Sequence, residues 1–218
     1  MAGQRPYTEA EVGAMAAELG RGRFGARDRG AFIFGVLTGY RASEICSVRI
    51  RDVVEPDGSV RDEVTVWRRH TKRGRTRTVL VSEELREVIE EVLRPRACAG
   101  VIHIDEWLFA RASGGAISRH TLYRAQRRAA NRLGLRGRVG GTHSMRKTFG
   151  KGVHDYLMDL AARGEKVDPL LGTKEAMGHG DVRSTEAYLQ ADSEQVAGAV
   201  RAVARRYGAK LEKEENRP

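Results

Sequence analysis

Met177-Gly178-His179-Gly180 runs through Asp181-Val182-Arg183 to Ser184-Thr185-Glu186-Ala187-Tyr188, downstream of Thr142-His143-Ser144-Met145-Arg146-Lys147. A tyrosine placed after two histidines and an arginine is a candidate nucleophile. Further upstream stand Thr38-Gly39-Tyr40-Arg41-Ala42-Ser43-Glu44-Ile45 and the basic stretch His70-Thr71-Lys72-Arg73-Gly74-Arg75. Together these residue types suit attack on a phosphate. Guanidinium forks match its nonbridging oxygens, a hydroxyl can attack, and imidazole or ammonium groups can move protons.

The charge balance agrees with a phosphate-rich partner. Lys plus Arg number 39 against 29 for Asp plus Glu in 218 residues, a formal net charge of +10. Such an excess favours a polyanion through counterion release, and nucleic acid is the first candidate. An anionic membrane surface is the rival, but the basic residues are not gathered on one amphipathic helix and no apolar run approaches spanning length. The N-terminal Met1-Ala2-Gly3-Gln4-Arg5-Pro6 lacks the apolar core of a signal peptide, so a cytoplasmic protein is expected, nucleoid-associated if prokaryotic. Cys46 and Cys98 fit neither a disulfide framework nor a zinc site, and Cys46, within Ile45-Cys46-Ser47-Val48, reads as a small core residue.

Local patterns place these motifs on elements. Thr8-Glu9-Ala10-Glu11 predicts a capped helix start, with Val12, Met15, Ala16 and Leu19 at helical spacing and a break over Gly20 to Gly25. A second helix is expected from near Asp28 to Gly39, a C-terminal cap from which Arg41 emerges, followed by a short helix at Ser43. Val64 to His70 and Arg77 to Val81 predict a β-hairpin with a basic tip at Thr71 to Arg75. Leu85, Val88, Ile89, Val92 and Leu93 form a helical stripe that Pro95 is expected to close.

A basic helix is expected from Ser118 to Leu133, with Leu122, Ala125, Ala129 and Leu133 on one side and Arg124, Arg127, Arg128 and Arg132 elsewhere. Those arginines read either as a solvated face or as a DNA-contacting one. The next helix carries His143 and Arg146 and continues its apolar spacing through Phe149, Val153, Tyr156, Leu157 and Leu160. Short helices around Lys174 to Gly178 and Thr185 to Gln190 should frame His179 and Tyr188, and Glu194 to Lys213 is helical in composition.

Two motif matches are set aside. Gly20-Arg21-Gly22-Arg23-Phe24-Gly25 fits the dinucleotide-binding glycine pattern but follows a helix where that site requires a strand. Ser144-Met145-Arg146-Lys147 fits S-x-x-K without the companion motifs of serine acyl enzymes. His70, His103, His120 and His154 have no ligand-spaced partners.

Four blocks occur in the order and approximate spacing of the tyrosine recombinase (phage integrase) catalytic domain, which the chain resembles from about Tyr7 to about Gln195. They are Thr38 to Ile45, the hairpin lysine between His70 and Val81, His143 to Arg146, and Met177 to Tyr188. The resemblance implies an α+β, mostly helical fold with a small antiparallel β-sheet or hairpin. It implies a site-specific DNA recombinase or integrase that cuts and rejoins strands through a covalent 3′-phosphotyrosine. Carried over residue by residue, Arg41 and Arg146 cradle the phosphate, and Tyr188 attacks it. His143 performs acid/base work, His179 holds the phosphate, and Glu44 supports the site. An ion pair of Arg41 or Arg146 with a carboxylate such as Glu44 is the plainer alternative.

Lys72 is the expected general acid for the departing 5′-oxygen, with Arg73 and Arg75 as adjacent alternatives and further DNA contacts. The scheme uses no metal, no ATP and no other cofactor. Double-stranded DNA is the implied partner, with self-association on it as a synaptic dimer or tetramer.

The expected organisation is a catalytic domain over residues 7–210, a flexible tail over 211–218, and no N-terminal core-binding domain in this chain. The pattern thus belongs to a minimal recombinase or to a fragment. The stretch between Arg146 and His179 is longer than in compact members. Two rivals use the same chemistry or fold: a type IB topoisomerase relaxing DNA, and a catalytically silent DNA-binding regulator.

Overall fold

The computed structural model describes residues 4–66, 77–100, 102–137 and 139–178. Its helices are α1 (Glu9–Gly20), α2 (Gly25–Thr38), α3 (Ala42–Ile45), α4 (Glu83–Cys98), α5 (Arg119–Arg132), α6 (Thr142–Ala162) and α7 (Pro169–Met177). Strands β1 (Glu63–Val66) and β2 (Arg77–Leu80) lie between α3 and α4, after a single 3-10 turn at Ile50–Asp52.

Thr8 and Glu11 form the expected capping box at α1. The threonine hydroxyl accepts from Glu11 N at 3.2 Å and the glutamate accepts from Thr8 N at 2.9 Å. Each bond satisfies a backbone amide at the helix start that has no partner within the helix. Helix α2 is the hub of the core, packing against α1, α4 and α6. Its Phe32 and Phe34 are fully buried, and burial of a side chain this size contributes about 1.5–3 kcal/mol. Gly30 and Gly35 bring neighbours close: an added Cβ would meet Val92 of α4 at 2.2 Å and Met145 of α6 at 2.7 Å.

The hairpin pairs antiparallel in the register Glu63↔Leu80, Val64↔Val79, Thr65↔Thr78 and Val66↔Arg77. Val64 and Val66 face the core, as the period of two requires. The Tyr40 hydroxyl donates to Val64 O at 2.8 Å, tying the chain beyond α2 to this sheet.

Three expectations change. Helix α4 does not end at Pro95 but continues to Cys98. Its apolar stripe stops at Leu93, and the last turn is held from outside: Arg96 donates to Trp107 O at 3.2 Å and Leu108 O at 3.3 Å. Helix α7 starts at Pro169 rather than near Lys174, because Asp168 caps it by accepting from Leu171 N at 2.9 Å and Pro169 suits the first turn.

The apolar spacing of α6 also does not all reach the core. Only its first half packs against buried elements, while Val153, Leu157 and Leu160 are half-buried and Tyr156 is 64% exposed. Its extensive partner is α7, where Leu157 lies against Gly172. The expected helices at Thr185 to Gln190 and Glu194 to Lys213 lie outside the described residues.

Candidate active site

Gly39 ends α2 in the left-handed conformation, φ 62° and ψ 17°, with its amide bonded to Gly35 O at 3.0 Å. Glycine takes this conformation without a Cβ clash, and the Phe149 ring fills the space where a side chain would stand. Tyr40 then turns inward, nearly fully buried, and Arg41 becomes the extended N-cap of α3. Glu44 accepts from Arg41 N at 2.6 Å and pairs with its Nη1 at 3.4 Å. One carboxylate thereby caps the short helix and steadies the guanidinium. The carboxylate pairing weighed from sequence is present, yet the Arg41 side chain remains 38% exposed while that of Glu44 is 8% exposed.

Arg146 lies on the second turn of α6 and is only 1% exposed. Its Nη1 donates to Gly39 O and its Nη2 donates to Met177 O at 2.7 Å. These carbonyls belong to the C-terminal ends of α2 and α7, where the backbone carries partial negative charge and favours a cation. One planar guanidinium therefore joins the end of the helix leading to Arg41 and the end of the helix leading to His179. Gly178, the residue before His179, is the left-handed cap of α7 at φ 60°.

His143, exposed, stands one turn before Arg146 in the first turn of α6. Partial desolvation, then the charges of Arg146, Arg41 and Lys147, hold its pKa below the ordinary histidine value of 6.5. Both effects favour the neutral imidazole, the form that can accept a proton. Lys147 is 8% exposed, and desolvation lowers its pKa as well. In sequence it appeared only as the lysine of the S-x-x-K match set aside above. The signal was its spacing from His143, which puts both residues on one helical face.

Arg41, Glu44, His143 and Arg146 are thus brought to one locus. Lys72, Arg73, Arg75, His179 and Tyr188 lie outside the described residues. On α5, Arg124 and Arg128 are exposed. Arg127 is half-buried and donates to Val139 O at 2.8 Å, a bond that ties α5 to the approach to α6. Among the described residues no group of three or more His, Cys, Asp or Glu could hold a metal ion, and no helix is long and apolar enough to cross a membrane. Cys46, expected in the core, is half-buried against it, and this burial pushes its thiol up to about 11.

Residues 7–195 match the model of the phage integrase family. The probable integrase/recombinase YoeC of Bacillus subtilis is 32% identical over 136 residues, spanning 62% of this chain and 67% of YoeC. Tyrosine recombinase XerH of Campylobacter jejuni is 23% identical over 161 residues, spanning 74% of this chain and 40% of XerH. Among solved structures, XerH site-specific recombinase bound to palindromic difH substrate superposes with a TM-score of 0.64 at 22% identity, covering 90% of this chain and 52% of that one. A lambda integrase dimer bound to a COC′ core site gives 0.60 at 16% identity, covering 86% and 48%. The chain thus spans about half the length of these solved recombinases. The mostly helical architecture with its two-stranded antiparallel sheet matches their catalytic domains, and the chain belongs to the phage integrase family of tyrosine recombinases.

Proposed function

We propose that this chain is the catalytic unit of a site-specific DNA recombinase that cuts and rejoins strands through Tyr188. The observation that carries the reading is the locus itself: two arginines and a neutral imidazole converge where α2 and α7 end, next to the residue preceding His179. Relatives named as recombinases and solved complexes with DNA support the same reading.

Tyr188 Oη attacks the scissile phosphorus, its proton passes to a base, and the bond to the 5′-oxygen breaks. His143 is the proposed base, and Lys72 protonates the departing oxygen, leaving a 3′-phosphotyrosine and a 5′-hydroxyl. Arg41, Arg146 and His179 neutralise charge that develops on the nonbridging oxygens. The phosphotyrosine conserves the bond energy, and attack by a 5′-hydroxyl reseals the strand. No step passes through a metal ion or ATP. Arg73, Arg75, Arg124 and Arg128 would meet the duplex backbone, and Arg127 would act there only by giving up its bond to Val139. Double-stranded DNA is the proposed substrate, with assembly of several copies on it.

Nicked suicide DNA carrying a candidate site tests the chemistry. A covalent adduct on a denaturing gel, absent from Tyr188→Phe, is the expected result. No adduct from the wild-type chain on any DNA, with or without an added N-terminal domain, would remove the enzyme reading. Lys72 is tested separately on a 5′-bridging phosphorothiolate: the thiolate leaves without protonation, so Lys72→Ala should recover cleavage there.

A further inference from the structure

Helices α1, α4, α5 and α7 open on side-chain caps from Thr8, Ser82, Ser118 and Asp168. Helix α6, which carries His143 and Arg146, opens on Gly141 and, like α2 at Phe24, has no side-chain cap. Residues Gln4 to Thr8 lie against this uncapped end. Tyr7 N donates to Thr148 Oγ1 at 2.9 Å, and the same hydroxyl donates to Ser144 O at 2.8 Å, between His143 and Arg146 in sequence. The Tyr7 ring meets Phe32 of α2 edge-on at 5.4 Å.

Arg5 anchors the other side of this segment. Its guanidinium grips the Glu11 carboxylate at 2.7 and 2.6 Å and reaches Arg136 O, in the loop before α6, at 3.2 Å. Gln4 covers the start of the helix: a Cβ at Gly141 would lie 2.0 Å from Gln4 Nε2, although the Gly141 backbone, φ −122° and ψ 167°, is open to any residue. The Gln4 side-chain amide therefore packs directly on the Gly141 backbone.

We propose that Gln4 to Thr8 form a strap that packs over the start of α6 and positions its first turns, with Arg5, Tyr7 and Thr148 acting through His143 and Arg146. This rests on the reading of His143 as the base and Arg146 as a phosphate ligand. The strap couples the chain before α1 to the start of α6. A helix start free to shift by an ångström would misplace both groups, and misplacement on that scale can reduce a rate by about 100-fold.

Thr148→Val removes the hydroxyl while keeping the side chain's shape, and Thr148→Ser restores it. Two readouts are taken on the full chain: single-turnover cleavage of nicked duplex, with DNA affinity measured alongside, and the NMR titration midpoint of His143 without DNA. The charged groups facing His143 among the described residues are Arg41 at the cap of α3 and Arg146 and Lys147 on α6.

Thr148→Val should slow cleavage about 10- to 100-fold at unchanged DNA affinity. It should also raise the His143 midpoint as water enters and the cations separate, and Thr148→Ser should reverse both changes. Arg5→Gln, at a side chain 39% exposed and so tolerant of change, should move both readouts in the same direction if Thr148→Val does not fold. Unchanged rate and midpoint, or equal losses in the valine and serine variants, would overturn the strap. If the wild-type chain forms no adduct at all, the proposed function fails by itself and the His143 titration alone decides the strap.

Discussion

Arg146 and Arg41 are the same side chain in opposite settings. Arg146 is buried and held by the carbonyls of Gly39 and Met177, whereas Arg41 is more than one-third exposed and steadied by Glu44. The first closes the ends of two helices and is part of the fold. The second stands at a helix start whose conformation is set by backbone bonds and by Glu44. A guanidinium offers five donors in a rigid fork, so one residue can hold helix ends and also face a phosphate. That double duty is available to Arg146 and not required of Arg41.

This contrast can be broken most severely at Arg146. Arg146→Ala should lower cleavage on the order of 10²–10³-fold, by analogy with removal of one oxyanion donor. It should also destabilise the fold by about 1–3 kcal/mol, because two buried carbonyls lose their donor, and urea denaturation reads that loss. Arg41→Ala should cost a similar factor in rate, yet leave stability within about 1 kcal/mol, as for exposed ion pairs. Equal destabilisation by the two variants would erase the distinction.

Glu44→Gln sharpens the comparison at a smaller scale. Its amide oxygen can still accept from Arg41 N but no longer carries charge, so cleavage should fall about tenfold, within the 1.4 kcal/mol that a weakened contact can supply. Circular dichroism should show the helical content intact. A fall as large as that of Arg41→Ala would make Glu44 a reacting group rather than a support.

The gentlest probe is pH. Because the folded pKa of His143 lies below 6.5, the imidazole stays neutral as the pH falls through that value, and cleavage by this base should decline only at lower pH. His143→Gln should remove that limb from the rate profile. The sign for stability is the same: between the two pKa values the unfolded chain binds more protons, so stability falls as pH falls, and the variant should lose this dependence in thermal melts at graded pH.

What could be read from sequence was local. The Thr8 box, the Gly39 cap, the stripe from Leu85 to Leu93 and the alternation of Val64 and Val66 all follow from neighbours a few residues apart. The continuation of α4 through Pro95 was hidden because Arg96 finds its anchors at Trp107 and Leu108. Tyr156 fits a helical stripe but extends past the elements that would cover it. Arg146 was legible as a candidate phosphate ligand, while its two carbonyl partners were not, since they lie on separate helices that only folding brings together. Arg127 reads as one more basic residue on α5 until the Val139 carbonyl is seen beside it.

The central claim is that the convergence of Arg41, His143 and Arg146 serves a phosphate under attack by Tyr188. Its most direct measurement is tryptic mapping by mass spectrometry of the adduct trapped on nicked DNA. The expected result is a single peptide carrying a nucleotide on Tyr188, missing when Arg146 is replaced by Ala. A nucleotide on any other residue, or an adduct that forms undiminished without Arg41 and Arg146, would contradict it.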